Sequence, residues 1–119
     1  MENKKLSKEE QTSKNFRKLK SFCKNLPKER RELAIKLCKK IAFMDGSLDR
    51  MQEEILRDGE VVELQNGNGF TVAQAHPSLK NYNQMIKNFC AASKQLSELF
   101  PEDSEEADEL LLFVGRNKK

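Results

Sequence analysis

The residues of this chain that could do chemistry are mainly the lysines and arginines of its first third. Residues 1–40 contain 14 Lys or Arg and 5 Asp or Glu, whereas residues 41–119 contain 8 and 14. Ammonium and guanidinium groups bind phosphate oxygens, and such contacts supply most of the affinity of non-specific DNA binding. The candidate DNA-binding residues are Lys14, Arg17, Lys18, Lys20, Lys24, Arg30 and Arg31. The alternative is a basic face that is only solvated.

Groups typical of catalysis or metal binding are sparse. The chain has one histidine, His76, and three cysteines, Cys23, Cys38 and Cys90, without a Cys-x-x-Cys spacing. This odd cysteine count fits reduced thiols in a cytoplasm, and we expect all three to be small buried hydrophobic residues. The sequence also lacks a phosphate-binding loop and a metal-ligand spacing. We therefore expect no catalytic residue, no metal and no cofactor, and a protein that is not an enzyme.

The elements that must position the basic residues are long helices. Apolar residues from Ala34 to Ile55 recur in alternating steps of three and four, the heptad pattern of a helix that packs along one face. The pattern keeps its phase across Gly46, so one helix is predicted from about Lys28 to Asp58. A second seam with the same spacing runs from Leu79 to Phe100. The two seams predict a long antiparallel helical pair that buries Leu37, Ile41, Met44, Leu48 and Met51 against Leu79–Leu96.

A small β-hairpin is predicted to join the two helices, within residues 60–73. Two short β-prone runs, Val61–Leu64 and Phe70–Val72, flank the sequence Asn66-Gly67-Asn68-Gly69. Asn-Gly tolerates the positive φ angles of a tight hairpin turn. Pro77 follows as the first residue of the second helix, and Pro101 ends or redirects that helix at residue 100.

Shorter helices are predicted on either side of the pair. Ser7 and Glu10 form a capping box that begins a basic N-terminal helix, which spans residues 7–27 and ends near Leu26. Its short connection to the next helix, Asn25-Leu26-Pro27, suggests a helix-turn-helix-like DNA surface. The connection lacks the turn glycine often found in that motif, so we expect non-specific phosphate binding rather than sequence readout. The C-terminal segment, residues 101–119, is acidic from Glu102 to Glu109 and then apolar from residue 110 to 114. It predicts a short helix that stops at Gly115, and part of its apolar run should dock elsewhere.

The chain as a whole is predicted to be one mainly α domain, residues 1–119, with residues 1–6 disordered. Hydrophobic residues make up 37% of the sequence and charged residues 34%, which suits long, thin helices better than a compact globule. We expect the acids from Asp45 to Asp58 to form a solvated face on which several pair with Arg50 and Arg57. We also expect a homo-oligomer that covers the remaining apolar surface. No apolar run is long enough to cross a membrane, so a soluble, cytoplasmic protein is expected.

Three stretches between Leu48 and Pro101 occur in a distinctive order. They are Arg57-Asp58-Gly59-Glu60-Val61-Val62-Glu63 at the end of an acidic-ended helix, His76-Pro77-Ser78-Leu79 at the start of a second helix, and Gln95-Leu96-Ser97-Glu98-Leu99-Phe100-Pro101 at its end. With the Asn/Gly turn between them, they resemble the small subunit of bacteriophage DNA-packaging terminases. The resemblance covers about half of the chain.

The resemblance implies a non-catalytic, ring-forming DNA-recognition subunit, encoded by a phage or prophage and present in the bacterial host cytoplasm. Such a protein binds double-stranded viral DNA at the packaging start site and delivers it to a large ATPase–nuclease subunit. The alternative hypothesis is a helical oligomeric adaptor or structural protein that binds no nucleic acid. The two differ in whether the basic face contacts phosphate.

Overall fold

The computed structural model describes residues 7–65 and 67–116, which form four helices and one two-stranded sheet. The elements are α1 (Lys8–Ser21), α2 (Lys28–Asp58), β1 (Val61–Gln65), β2 (Thr71–Ala75), α3 (Pro77–Ser97) and α4 (Glu105–Arg116). The mainly α fold, with a hairpin between the two long helices, is therefore as the sequence predicts. The predicted disorder of residues 1–6 lies outside the described residues.

Helix α2 is the axis of the fold and has its predicted bounds. Its last turn closes with a bond from the Gly59 N–H to the Ile55 carbonyl, 2.7 Å, and Gly59 has a φ of 88°, a conformation that side chains disfavour. Of the predicted seam, Ile41, Leu48 and Met51 are buried, at 0%, 3% and 5% exposure. Leu37 and Met44, also in the seam, are half-buried and pack beside them.

Helix α3 runs antiparallel to α2 and completes the pair. Its N-terminal end meets the C-terminal end of α2, where Ser78 Oγ donates to Glu54 Oε1 at 2.9 Å. Phe89 and Leu96 are buried on the inner side of α3, at 1% and 0% exposure. The helix ends at Ser97 rather than at residue 100, because a residue before proline avoids the α conformation and the chain closes there in short turns.

The hairpin is shifted by a few residues from its predicted position. β1 pairs with β2 from Val61↔Ala75 to Gln65↔Thr71, so the described residues 67–70 lie in the loop between the strands, and Phe70 belongs to that loop rather than to a strand. Gly69 has a φ of 83°, and its carbonyl accepts a bond from Gln65 Nε2 at 3.1 Å. Asn66 lies outside the described residues. The wider loop replaces the tight turn that Asn-Gly predicts.

Helix α1 begins as predicted and ends early. Ser7 N donates to Glu10 Oε1 at 2.9 Å and Glu10 N donates to Ser7 Oγ at 3.1 Å, which is the reciprocal capping box. The helix ends at Ser21, and residues 22–25 form turns before Pro27. Leu26 is buried at 5% exposure, so the turn still contributes to the core even though it is not helical.

The inner side of helix α4 packs against the turn that follows α1. Leu110 is buried, and the Phe113 ring meets the Phe22 ring edge-on with 6.5 Å between centroids. The helix continues through Gly115, so the predicted stop at that residue is wrong. Leu111 and Leu112 remain 64% and 65% exposed. In the described part of the chain, none of the helices combines the length and apolar character needed to cross a bilayer.

Candidate nucleic-acid interface

The predicted DNA-binding residues lie on α1, on the turn that follows it and on the first turn of α2. Six of the seven have exposed side chains: Lys14, Arg17, Lys18, Lys20, Lys24 and Arg30. Arg31 is half-buried and its Nη1 donates to the Leu26 carbonyl at 3.3 Å, so it closes the turn rather than facing solvent fully. Lys14 and Arg17 line one open hollow on α1, of about 580 Å³, together with Glu9 and Glu10.

The basic residues are exposed because the opposite side of α1 is used for packing. Leu19 and Cys23 are 1% and 0% exposed, and Phe16 packs half-buried beside them. The Lys20 ammonium lies 5.8 Å from the centroid of the Phe16 ring, within reach of a cation–π contact. An amphipathic helix held in this way keeps its charged side in water.

Helix α1 is positioned by a close approach to the middle of α2. A Cβ atom at Gly46 would lie 2.9 Å from Thr12 Oγ1, so the glycine allows the two helices to come together. Next to it, Asn15 Nδ2 donates to Asp45 Oδ2 at 3.1 Å, and Gln11 Nε2 donates to Asn15 Oδ1 at 3.1 Å. The glycine that costs α2 helix propensity therefore has a packing role.

The expectation of a solvated acidic face from Asp45 to Asp58 is wrong at Asp45, whereas Asp58 is exposed and Glu54 is half-buried. Asp45 is 4% exposed and faces α1. Glu54 accepts a bond from Ser78, as described above, and Asp58 Oδ2 lies 3.0 Å from His76 Nε2. These acids join the helices to each other, which the one-helix pattern of the sequence does not reveal.

His76 has the structural role that its place before Pro77 suggests. Its Nδ1 accepts the Ser78 N–H at 3.0 Å, so it caps α3, and the ring proton is then on Nε2 facing Asp58. Arg57 Nε donates to Asp58 Oδ1 at 2.8 Å. The Arg57 guanidinium, and then the His76 ring, lower the pKa of the Asp58 carboxyl, and Asp58 in turn raises the pKa of Arg57.

The acidic C-terminal segment contacts the turn between α1 and α2. Asn25 Nδ2 donates to Glu106 Oε2 at 3.0 Å. This bond, followed by a backbone hydrogen bond and the nearby Lys24 charge, lowers the pKa of Glu106. One carboxylate of α4 therefore balances part of the positive charge at the turn between α1 and α2.

The cysteines correct the prediction that all three are buried. Cys90 is exposed, whereas Cys23 and Cys38 are both 0% exposed. The two buried sulfur atoms lie 3.6 Å apart although the residues are separated by 15 positions, a proximity that the sequence does not signal. The hydrogen bond between the two thiols lowers the pKa of Cys23 and raises the pKa of Cys38. Among the described residues, no group of three or more His, Cys, Asp or Glu side chains could hold a metal ion.

The arrangement offers an exposed basic surface on two packed helices. Its chemistry is that of anion binding through flexible lysine and arginine side chains, without a side chain assigned to a base edge. Comparison with known proteins finds no family model, no curated protein and no solved structure that matches this chain.

Proposed function

We propose that this chain is the non-catalytic DNA-recognition subunit of a phage genome-packaging terminase. It would act as an oligomer that binds double-stranded viral DNA and presents it to the large ATPase–nuclease subunit. The observation that carries the DNA-binding part is the exposed basic surface of Lys14, Arg17, Lys18, Lys20, Lys24 and Arg30. The terminase assignment is supported by the resemblance of residues 48–101, whose helix, hairpin and helix follow in the order described above.

The basic surface suits phosphate contact because its charges are available. In residues 7–65 and 67–116, none of these six side chains takes part in a salt bridge. Exposed lysine and arginine lose little hydration when they approach a phosphate, and each contact releases counterions from the duplex. This mode of binding does not depend on base sequence. A preference for a packaging start site would need further contacts or DNA shape.

Assembly into a homo-oligomer is supported by apolar side chains that the single chain leaves in water. The exposed set includes Leu56 at 76%, Val61 at 65% and Leu112 at 65%. Contacts between copies of the chain would remove these side chains from water. We propose a ring, in which each subunit adds weak DNA contacts and the contacts combine through avidity.

The test of the proposed function is a salt titration of DNA binding. Fluorescence anisotropy with a labelled duplex should show binding at low salt that weakens steeply as salt rises, with a log–log slope of about 0.9 for each phosphate contact. Co-purification with the large ATPase–nuclease subunit from the same phage genome tests the packaging assignment. Absence of DNA binding at low salt would contradict the proposal and favour the helical adaptor.

A further inference from the structure

The outer side of α4 presents an acidic and apolar face that is exposed in the described part of the chain. Glu105, Asp108, Glu109 and Leu112 are all exposed and follow the spacing i, i+3, i+4, i+7, so they lie on one side of the helix. The inner side is occupied, since Leu110 is buried and Glu106 accepts a bond from Asn25. Leu112 is 65% exposed.

A basic and apolar stripe lies on α2 with the same spacing. Lys36, Lys39, Lys40 and Phe43 are exposed and again follow i, i+3, i+4, i+7. Together with Met44 they line an open hollow of about 740 Å³, and Phe43 is 62% exposed. These lysines are separate from the candidate DNA-binding residues, which lie on α1, the turn and the first turn of α2.

The two faces match residue by residue when the helices run side by side in the same direction. Three exposed acids followed by an exposed leucine face three exposed lysines followed by an exposed phenylalanine, at equal intervals along both helices. We infer that the outer face of α4 docks on the α2 stripe of a second copy of this chain. In that register Lys36 pairs with Glu105, Lys39 with Asp108, Lys40 with Glu109, and Phe43 packs against Leu112.

Such a contact joins two different surfaces, so it is heterologous and propagates from copy to copy until a ring closes. It rests on the proposed homo-oligomer and specifies which surfaces build it. The opposite charges set the register and the apolar pair at the end excludes water. The contact uses none of the basic residues of α1.

The experiment reverses the charges of each face and then of both. In one variant Lys39→Glu and Lys40→Glu change the α2 stripe, and in another Asp108→Lys and Glu109→Lys change the α4 face. Each variant should associate at least tenfold more weakly than the unaltered chain, a change of about 1.4 kcal/mol, by light scattering at matched concentrations. The chain that carries all four substitutions should regain the mass of the unaltered assembly, because the pairs are restored with exchanged charges.

The control reverses two exposed lysines of α3, Lys80→Glu and Lys87→Glu, which change the net charge by the same amount as the α2 variant but lie on a helix that carries neither face. This variant should keep the mass of the unaltered assembly. Circular dichroism checks that each variant retains its helices. A zero-length carbodiimide cross-link between Lys39 or Lys40 and Asp108 or Glu109, formed between isotopically distinct copies, tests the contact in the unaltered protein.

Failure of this inference and failure of the proposed assembly give different results. A strictly monomeric unaltered chain would overturn both the contact and the oligomer. An unaltered oligomer whose mass survives both charge reversals, or one that the combined variant does not restore, would overturn the contact alone. An intermolecular cross-link between the two faces, with mass loss in each single-face variant and recovery in the combined one, is the expected outcome.

Discussion

The substitution Gly46→Ala tests how closely α1 approaches α2, and hence where the basic surface stands. In an isolated helix this change stabilises, by about 1 kcal/mol, because alanine has the higher helix propensity. In this fold the new Cβ would lie 2.9 Å from Thr12 Oγ1, a distance at which either the Thr12 side chain or one of the two helices must shift. Overpacking of this kind costs about 1–3 kcal/mol.

The net effect in the unaltered protein should therefore run from about zero to a destabilisation of about 2 kcal/mol. Removing Thr12 Oγ1 should reverse the sign of the change in stability that Gly46→Ala causes. In a Thr12→Ala background the methyl group of Gly46→Ala has space, and the substitution should stabilise by up to about 1 kcal/mol. The coupling between the two positions should accordingly be about 1–3 kcal/mol.

The assay is urea unfolding of the four members of the cycle at one fixed protein concentration, because assembly contributes to apparent stability. Thr12→Val is the matched control, since it keeps an atom where the hydroxyl oxygen stands and should preserve the penalty. Equal stabilisation by Gly46→Ala with and without the Thr12 side chain would refute the close approach of α1.

Three further predictions follow from the core, the helix junction and the thiols. Ile41→Ala removes a fully buried side chain and should lower the free energy of unfolding by about 2–5 kcal/mol in urea titrations; a loss near zero would contradict the helical pair. The lowered pKa of Asp58 means that its carboxylate stabilises the fold above pH 3.8 and loses this effect as pH falls through the folded-state value. Asp58→Asn should thus destabilise at neutral pH, with a deficit that shrinks below pH 3.8; a deficit independent of pH would contradict the junction. A maleimide should label Cys90 in the folded chain and reach Cys23 and Cys38 only after unfolding, which mass spectrometry can measure. Labelling of all three cysteines in the folded chain would contradict the burial of Cys23 and Cys38.

The long elements could be predicted from the sequence because their signals are local and periodic. The seam of α2 sets the same helix face for more than twenty residues, and its ends coincide with Pro27 and Gly59, where the backbone itself limits the helix. The capping box of Ser7 and the first-turn position of Pro77 are also local, and both are observed.

The differences arise where tertiary contacts decide. Helix α1 ends at Ser21, earlier than the apolar pattern predicts. Phe22 and Cys23 lie in the turn that follows, and their side chains are buried although the backbone there is not helical. Asp45 belongs to the α1 contact although Asp49, the next acid along the helix, is exposed. The proximity of Cys23 to Cys38 likewise depends on how the turn after α1 packs against α2, and no spacing in the sequence indicates it.

For the candidate site, the exposure of the basic side chains could be predicted but their individual contacts could not. The exposed side of α1 follows from its amphipathic pattern, and Arg17 and Lys18 face solvent as expected. Arg31 differs, because its guanidinium closes the turn on the Leu26 carbonyl, a contact that depends on where the helix ends. DNA binding by the remaining residues stays a prediction.

The most direct measurement is DNA affinity at low salt after Arg17→Glu and Lys18→Glu, compared with Lys80→Glu and Lys87→Glu. The two variants change the net charge equally, but only the first alters the proposed interface. Fluorescence anisotropy should show affinity at least about tenfold lower for the first variant with every duplex sequence, an unchanged oligomer mass, and little change for the second. Equal affinity of both variants would contradict the assignment of DNA binding to α1.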